Sequence, residues 1–375
     1  MQPAPALTFV TDIASPYQLE LMQAVLDAYA GPVRVVFCRH VAKLRQWQES
    51  KPDFDHCFLD SDGGAQASQW TQDSGLVVFC GYAQIGFQRL MWRRAWSRKP
   101  WAFWGERPGA NHRGIAGRAA RRLAQLPIRL SRVPVWGIGS WAAEGYSAEL
   151  GADRLYLNVP YFSDLSRFAA IARTDAGSGG ATRFLFSGML IERKGVDLLA
   201  QAFCALRAEG VNASLSFLGA GPLESSLRQA LVPVSGSVAF LGFRQWSELP
   251  QVYASHDVLC APSRYDGWGL IVPEGLAAGM PVIATDAMGA ARDLINPGNG
   301  WLARAGDLST LLSAMRAAAG LPEAQRCRMR ESARASARAQ HVDAGAARVL
   351  DAVAQTLNAC AKLGKQTEHC NRTPP

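Results

Sequence analysis

Two acidic residues enclose a glycine-rich apolar segment in the second half of the chain. Asp266 and Glu274 are separated by GWGLIVP, inside the longer stretch SRYDGWGLIVPEGLAAGMPVIATD. Glycine has no Cβ, so Gly267 and Gly269 let backbone amides approach a ligand closely. Glu274 falls in the first turn of a predicted helix, where a carboxylate is favoured. Taken singly, Glu274 fits a helix stabiliser and Asp266 an ordinary turn residue; together with the glycines they indicate a ligand site.

A pair of cations precedes another predicted helix. In FSGMLIERKGVDLL a strand runs to Gly188 and a helix begins near Gly195, which puts Arg193 and Lys194 at its N-terminus. The helix dipole disfavours each cation there by ~0.3–1 kcal/mol. A bound phosphate would reverse this effect, and the free amides of the helix start would add donors to it. Side chains that simply extend into water are the alternative.

The elements that must position these residues repeat as strand and helix. β-branched runs such as ALTFV, VRVVFCRH and GLVVFCG alternate with helical patterns such as PYQLELMQAVLDAYA, and a second series begins at RFLFSG. Such alternation predicts parallel sheets covered on both faces. We expect an α/β protein of two doubly wound, Rossmann-like domains that face each other across a cleft. Ligands of such sheets bind beyond the carboxyl ends of the strands.

The Gly- and Ser-rich segment DAGSGGAT separates the two series and is the best candidate for a linker. We therefore predict an N-terminal domain over residues 1–174 and a linker over 175–182. A C-terminal domain with an Ala- and Arg-rich helical tail would follow over residues 183–365. The polar end, residues 366–375, is predicted to be disordered.

Positive charge is concentrated in one stretch of the first domain. The formal net charge is +8, yet residues 89–132 alone hold 12 Lys and Arg against one acid, Glu106, together with four tryptophans. Basic residues interleaved with indoles favour an anionic membrane surface, to which each contributes about 1 kcal/mol. A solvated helix face over core tryptophans is the alternative. Nucleic acid is the least favoured partner, and none is expected.

Cysteine usage and the lack of export signals bear on the compartment. The eight cysteines are scattered without a C-x-x-C pair, which predicts buried free thiols rather than a metal site or a disulfide framework. The N-terminal residues show no secretory pattern, and no run approaches the ~18 consecutive apolar residues of a spanning helix. We expect a cytoplasmic protein, either free or peripheral on the inner face of the cell membrane.

The stretch around Asp266 and Glu274 resembles the donor-site segment of retaining, nucleotide-sugar-dependent glycosyltransferases of family 4, which have the GT-B fold. That family has an acid, seven residues and a glutamate, usually with Glu first and GFGL between. SGMLIERKG is similar to its phosphate loop, and FLGAGPLESSL, VAFLGF, LPQVYASHDVLCAPS and GNGWLARAGDLSTLLSAM follow in the family's order. The resemblance covers about residues 183–316. It is weaker in TDIASPYQLELMQAV and NVPYFSDLSRF of the first domain.

The resemblance implies a role for each matching residue. Lys194 and Arg193 would bind the donor diphosphate, Glu274 the ribose hydroxyls and Asp266 the transferred sugar. The implied catalytic residues are Asp266, Glu274 and Lys194. The implied donor-binding residues are Gly188, Arg193, Lys194, Gly267, Trp268, Gly269, Leu270 and Glu274. Met189 stands where the family often has Arg, which leaves Arg193 as the second cation. For a catalytic group in the first domain, Glu106 and His112 are candidates, with ordinary turn positions as the alternative.

The implied activity is transfer of a hexosyl residue from a nucleotide-diphosphate sugar to a glycan or lipid-linked acceptor in surface polysaccharide synthesis, such as that of lipopolysaccharide. Transfer would proceed with retention, with the nucleotide sugar as co-substrate and with no cofactor and no metal, because the two cations would stabilise the leaving group. Two other functions stay open. One is a nucleotide-sugar epimerase or a phosphorylase on the same fold, although no cofactor-bearing lysine stands out. The other is a non-catalytic scaffold at the membrane surface. The sugar, the nucleotide, the acceptor and the oligomeric state are not readable from the residues.

Overall fold

The computed structural model describes residues 4–40, 52–61, 63–108, 114–172 and 180–370. The chain forms two compact units. The first comprises Met1–Ser163 and Val342–Pro375, and the second comprises Asp164–His341. Each unit contains one sheet of parallel strands, so the predicted α/β class with two doubly wound domains is confirmed.

The first unit is built on seven strands in the order β3-β2-β1-β4-β5-β6-β7. The strands are β1 (Leu7–Ile13), β2 (Val33–Arg39), β3 (His56–Phe58), β4 (Leu76–Phe79), β5 (Trp101–Gly105), β6 (Val135–Gly137) and β7 (Tyr156–Asn158). The helices are α1 (Pro16–Ala28), α2 (Gly64–Asp73), α3 (Ile85–Trp96), α4 (Ile115–Ala124), α5 (Leu126–Ser131), α6 (Ser140–Leu150) and the C-terminal α15 (Val342–Cys370). All of these strands are parallel, and the chain adds β2 and β3 on one side of β1 before it returns to add β4 on the other side, as in other doubly wound folds.

Continuous apolar runs form the centre of this sheet because both of its faces are covered. Every residue of β4 and of β5 is buried. Val10 of β1 pairs in parallel register with Val36 on one side and Phe79 on the other. The first-domain tryptophans Trp101 and Trp104 belong to this core and not to a surface.

The second unit is built on six strands in the order β10-β9-β8-β11-β12-β13. The strands are β8 (Thr182–Ser187), β9 (Ala213–Leu218), β10 (Val238–Gly242), β11 (Val258–Ala261), β12 (Val282–Thr285) and β13 (Gly300–Ala303). The helices are α7 (Ser166–Ala169), α8 (Val196–Ala208), α9 (Glu224–Ala230), α10 (Leu249–Ala254), α11 (Ile271–Ala277), α12 (Gly289–Leu294), α13 (Leu308–Ala319) and α14 (Glu323–Arg338). Because β8 pairs with both β9 and β11, the loops after β8 and β11 emerge side by side at the carboxyl edge.

The C-terminal helix belongs to the first unit, so the predicted assignment of residues 342–365 to the C-terminal domain is wrong. Helix α15 buries Val349 and Val353, and Thr356 Oγ1 accepts a hydrogen bond from Trp136 Nε1 of β6 at 3.0 Å. Gly345 lies so close to Phe162 that a Cβ there would come within 2.4 Å of the ring. Apolar residues of the helix therefore complete the first core, which strand and helix periodicity alone does not reveal.

The other predicted boundaries also shift. Residues 164–172 belong to the second unit, not to the first. Of the predicted linker 175–182, residues 175–179 lie outside the described residues and Thr182 already begins β8. Helix α15 continues through residues 366–370, which the sequence predicted as disordered, and residues 371–375 lie outside the described residues.

Two further properties of the described residues can be compared with the sequence analysis. None of the described helices has both the length and the apolar character needed to cross a membrane. The seven cysteines whose side chains the structure describes are free thiols. Cys260 is buried as predicted, whereas Cys327 is exposed.

Candidate functional site

The loop after β8 brings two cations to the start of a long helix. Gly188 follows the strand with φ +143°, and Arg193 and Lys194 form a short 3₁₀ turn. Gly195 then reverses the backbone with φ +69°, and α8 begins at the next residue. The structure therefore places both cations directly before a helix N-terminus, as the sequence predicted. An anion bound there would meet both the charges and the free amides of the helix.

Gly195 is required by close approach as well as by its backbone angle. A Cβ at this position would lie 2.0 Å from the carbonyl oxygen of Pro262, in the segment that follows β11. The backbone amide of Arg264 also donates to the Arg193 carbonyl at 2.8 Å. The loop after β8 and the loop after β11 thus pack backbone against backbone.

We expect Gly195→Ala to lower the free energy of unfolding by about 3 kcal/mol. An L-residue in the left-handed region costs ~1–2 kcal/mol, and overpacking against a backbone carbonyl adds ~1–3 kcal/mol. Gly210→Ala is the matched control, because Gly210 also has positive φ, +80°, but has open space around its Cβ position. Urea denaturation of both variants measures the difference. Equal losses would show that the loops separate freely.

An arginine that the sequence analysis missed joins the same two loops. Arg264 donates from Nη1 and Nη2 to the two carboxylate oxygens of Asp197 at 2.6 Å each. Its Nη1 also donates to the Glu192 carbonyl at 2.6 Å. Hydrogen bonding from Arg264 holds the pKa of the Asp197 carboxyl below its usual value. Bidentate Arg–carboxylate pairs hold both side chains in a defined relative orientation. Arg264 therefore links the 3₁₀ turn and the start of α8 to the loop after β11. Separated by 67 residues, the partners carry no local sequence signal.

Lys194 and Asp266 are in direct contact. Lys194 Nζ donates to Asp266 Oδ2 at 2.5 Å, and both side chains are only 15% exposed. Arg193 Nη1 lies 3.9 Å from Asp266 Oδ1 and donates to the Tyr265 carbonyl at 2.9 Å. The structure therefore joins the predicted cation pair to the first predicted acid in one charged cluster.

The loop from Asp266 to Leu270 is held in place by the start of α12. The Asp266 amide donates to the Ala287 carbonyl at 2.9 Å, and the Ala290 amide donates to the Trp268 carbonyl at 2.9 Å. Gly269 has φ +97°, a conformation that favours glycine. The glycines therefore allow a defined loop conformation that is fixed by backbone hydrogen bonds.

Trp268 was predicted to bind the donor as part of a loop whose backbone amides face the sugar, and the structure buries its side chain. Its side chain is 1% exposed and lies under the loop. A Cβ added to Gly289 would lie 3.2 Å from its ring, so the indole fills the space between the loop and α12. Because the side chain is buried, only the backbone of Trp268 can face a ligand. In this chain the tryptophan, which stands where the family usually has Phe, serves in packing.

Glu274 lies in the first turn of α11, as predicted, and its side chain is 3% exposed. The hydroxyl of Tyr253 in α10 donates to Glu274 Oε2 at 3.0 Å. A buried carboxylate requires such donors, because desolvation without hydrogen bonds costs several kcal/mol. Tyr253 was missed by the sequence analysis, although it lies in the quoted stretch LPQVYASHDVLCAPS.

The first-domain candidates have different outcomes. Glu106 directly follows β5, is exposed, and hydrogen-bonds the phenol of Tyr161. Burial raises the pKa of the Tyr161 phenol well above its usual value, and the Glu106 carboxylate raises it further. Ring contact with Tyr17, whose centroid is 5.2 Å away, places this pair at the carboxyl edge of the first sheet. His112 lies outside the described residues.

Comparison with known proteins shows what the second unit is similar to. Residues 181–319 match the family model described as Glycosyl transferases group 1. A GDP-mannose-dependent monoacylated alpha-(1-6)-phosphatidylinositol monomannoside mannosyltransferase of Corynebacterium glutamicum is 26% identical over 189 residues, which cover 46% of this chain and 49% of that protein. The lipopolysaccharide core biosynthesis mannosyltransferase LpsB of Rhizobium meliloti is 29% identical over 186 residues, covering 44% and 53%. The chain thus spans about half the length of these relatives.

A solved structure extends the likeness over both units. HepE of Anabaena, in complex with UDP, superposes with a TM-score of 0.73 at 16% identity, covering 93% of this chain and 100% of that one. At that identity the likeness concerns the fold. Residues 181–319 of the second unit thus match the glycosyl transferases group 1 model, in a chain that has the two-domain GT-B fold.

Proposed function

We propose that this protein transfers a hexosyl residue from a nucleotide-diphosphate sugar to a glycan or lipid-linked acceptor in surface polysaccharide synthesis. The observation that carries the proposal is the cluster of Arg193, Lys194 and Asp266 beside the glycine loop, at the carboxyl edge of the second sheet. The names of the relatives, which include GDP-mannose and lipopolysaccharide core synthesis, support this class of donor and product. So does the UDP bound to HepE.

In the proposed reaction, Lys194 and Arg193 stabilise the negative charge that develops on the leaving diphosphate. Charges held in place before the reaction act most strongly, because they need no reorganisation in the transition state. The contact with Asp266 holds the Lys194 ammonium in such a position. Asp266 and the amides of residues 267–270 bind the transferred sugar, and Glu274 binds the ribose. The acceptor hydroxyl attacks on the face that the diphosphate leaves, which gives retention.

A thermal-shift screen of UDP- and GDP-sugars tests donor binding, since a ligand at 100 times its Kd adds ~2.7 kcal/mol to the free energy of unfolding. NMR of the products then gives the anomeric configuration. Conversion of the donor without an acceptor would indicate an epimerase instead. Binding without any turnover would indicate a scaffold.

We also propose that transfer needs no metal ion. Arg193 and Lys194 supply the positive charge that a divalent cation would otherwise bring. Transfer measured in EDTA, and again with added Mg²⁺ or Mn²⁺, is expected to be unchanged. A rate that depends on either ion would contradict this.

An anionic membrane surface is the proposed location of the acceptor. Helix α4 has no buried residue, and its apolar Ile115 and Leu123 are 81% and 67% exposed. Arg118 and Arg122 of the same helix are also exposed. An exposed helix that carries both apolar and basic side chains suits the boundary between headgroups and acyl chains. The basic face is smaller than the sequence suggested, because Arg94 is buried and Arg121 and Arg129 pair with Glu149.

We expect the double variant Arg118→Gln/Arg122→Gln to bind phosphatidylglycerol vesicles about 30-fold more weakly than the wild type, because each cation contributes about 1 kcal/mol at an anionic surface. Flotation at low and high salt measures the binding. Arg228→Gln/Arg316→Gln is the control, since both of its arginines are exposed on the second unit. Wild-type protein that stays unbound at low salt would rule out the membrane proposal.

A further inference from the structure

A buried tyrosine contacts the acid that is proposed to bind the ribose. Tyr253 has no exposed surface, and its hydroxyl donates to Glu274 Oε2 at 3.0 Å. The two residues belong to different helices, α10 and α11, and are 21 positions apart. Glu274 is itself almost fully buried, so the orientation of its carboxylate depends on the groups that surround it inside the second unit.

The hydrogen bonds at this tyrosine have a defined direction. The Ser187 side chain also bonds the Tyr253 hydroxyl. A phenol has one hydrogen, and here it goes to the carboxylate, so Ser187 must donate to the phenol oxygen. Burial, followed by the charge of Glu274, raises the pKa of the Tyr253 phenol well above its usual value. The phenol therefore stays protonated and remains a donor throughout the physiological pH range.

Both ends of this chain of hydrogen bonds adjoin proposed donor-binding elements. Ser187 is the last residue of β8 and immediately precedes Gly188 of the phosphate loop. The ring of Tyr253 packs against Phe168 of α7, with centroids 5.1 Å apart, which fixes the position of the hydroxyl. Strand β8 and helix α7, which lie far from Glu274 in the sequence, thus fix the position of the Tyr253 hydroxyl. They thereby set the direction from which this hydroxyl approaches Glu274 Oε2.

We propose that Tyr253 is a positioning residue that orients the Glu274 carboxylate to accept the hydroxyl pair of a ribose, and so makes the site selective for ribonucleoside over 2′-deoxyribonucleoside diphosphates. The inference rests on the proposed function, because it takes Glu274 as the ribose ligand. A carboxylate has about four acceptor positions. The hydrogen bond from the tyrosine hydroxyl helps to direct the remaining lone pairs of Glu274 towards the diol, and a carboxylate without it would be less well oriented.

Tyr253→Phe tests this role, because it keeps the ring packed on Phe168 and removes only the hydroxyl. Calorimetric titration with UDP, 2′-deoxy-UDP, GDP and 2′-deoxy-GDP gives the ribose preference for whichever base binds. We expect the wild type to prefer the ribonucleotide at least tenfold, as a hydrogen bond to a charged group implies. In Tyr253→Phe, ribonucleotide affinity should fall about fivefold, while deoxyribonucleotide affinity changes less than twofold. Ser187→Ala should also reduce the preference for the ribonucleotide, by a smaller factor than Tyr253→Phe does.

Tyr146→Phe is the matched control, because Tyr146 is also buried but lies in the first unit, packed against Phe103. It should leave the preference unchanged. Equal losses for both sugars in Tyr253→Phe would mean a merely structural tyrosine, and an unchanged preference would likewise overturn the inference. Failure of the wild type to bind any of the four nucleotides would instead overturn the proposed function, and this inference with it.

Discussion

Replacing Lys194 with glutamine is expected to lower the rate of sugar transfer at saturating donor by about 10²–10³, the usual cost of losing one preorganised group that stabilises transition-state charge. Lys194 is well held for that role. Its ammonium contacts Asp266 at 2.5 Å, and only 15% of its side chain is exposed. Glutamine keeps the length of the stem but brings no charge to the leaving diphosphate. Release of nucleoside diphosphate, followed by chromatography, measures the rate.

Two further variants separate this effect from a general loss of positive charge. Arg193→Gln should cost only about tenfold, since Arg193 is more exposed, at 45%, and lies farther from Asp266. Lys99→Gln, in the first unit, should leave the rate unchanged, because its ammonium bonds only the Gln72 carbonyl among the described contacts. If Lys194→Gln transferred sugar within a factor of three of the wild type, the lysine would have no part in leaving-group stabilisation.

The sequence predicts the individual parts of this site well because their signals are local. A strand that ends at a glycine, and two cations before an apolar helix, place Arg193 and Lys194 without any tertiary information. The same holds for Glu274, which follows a loop and begins a helix next to proline. Parallel sheets bring the ends of neighbouring strands to one edge, so the two loops could be expected near each other.

The contacts between the parts could not be predicted in the same way. Lys194 and Asp266 are 72 residues apart, and so are Arg193 and the Tyr265 carbonyl it bonds. The pairing of each long side chain with a particular oxygen depends on how the side chains pack. The periodicity of the sequence contains no information about that packing. Trp268 is a further example, because its place in the motif did not reveal that its indole is buried.

Charge density along the sequence was the least reliable guide, because it does not distinguish a surface cation from a buried one. Arg94 belongs to the basic stretch of residues 89–132, for which a membrane surface or a solvated face was predicted, yet it is fully buried in α3. Its guanidinium donates to a ring of backbone carbonyls, those of Thr71, Gln72, Ser74, Gly75 and Pro100. Burial lowers the pKa of Arg94 to about 10, which leaves it charged at neutral pH. This arginine therefore joins the end of α2 to the turn before β5.

We expect Arg94→Met to lower the free energy of unfolding of the first unit by about 4 kcal/mol. Each buried carbonyl left without a donor costs ~1–3 kcal/mol. The variant no longer has to bury a charge, but that gain offsets only part of this cost. For a unit of about 200 residues this corresponds to a decrease in Tm of about 8–16 °C. Tryptophan fluorescence suits the measurement, since eight of the eleven tryptophans lie in the first unit.

Arg93→Met on the same helix is the control, because Arg93 is exposed and contacts the Ser68 hydroxyl at the surface. Its effect should stay within ~0.5 kcal/mol, as for most surface substitutions. Arg94→Lys should fall between the two, since an ammonium has only three donors and no planar fork with which to reach carbonyls on both sides. Equal melting temperatures for Arg94→Met and Arg93→Met would contradict this prediction. They would mean that other donors satisfy these carbonyls and that Arg94 adds no more stability than a surface arginine.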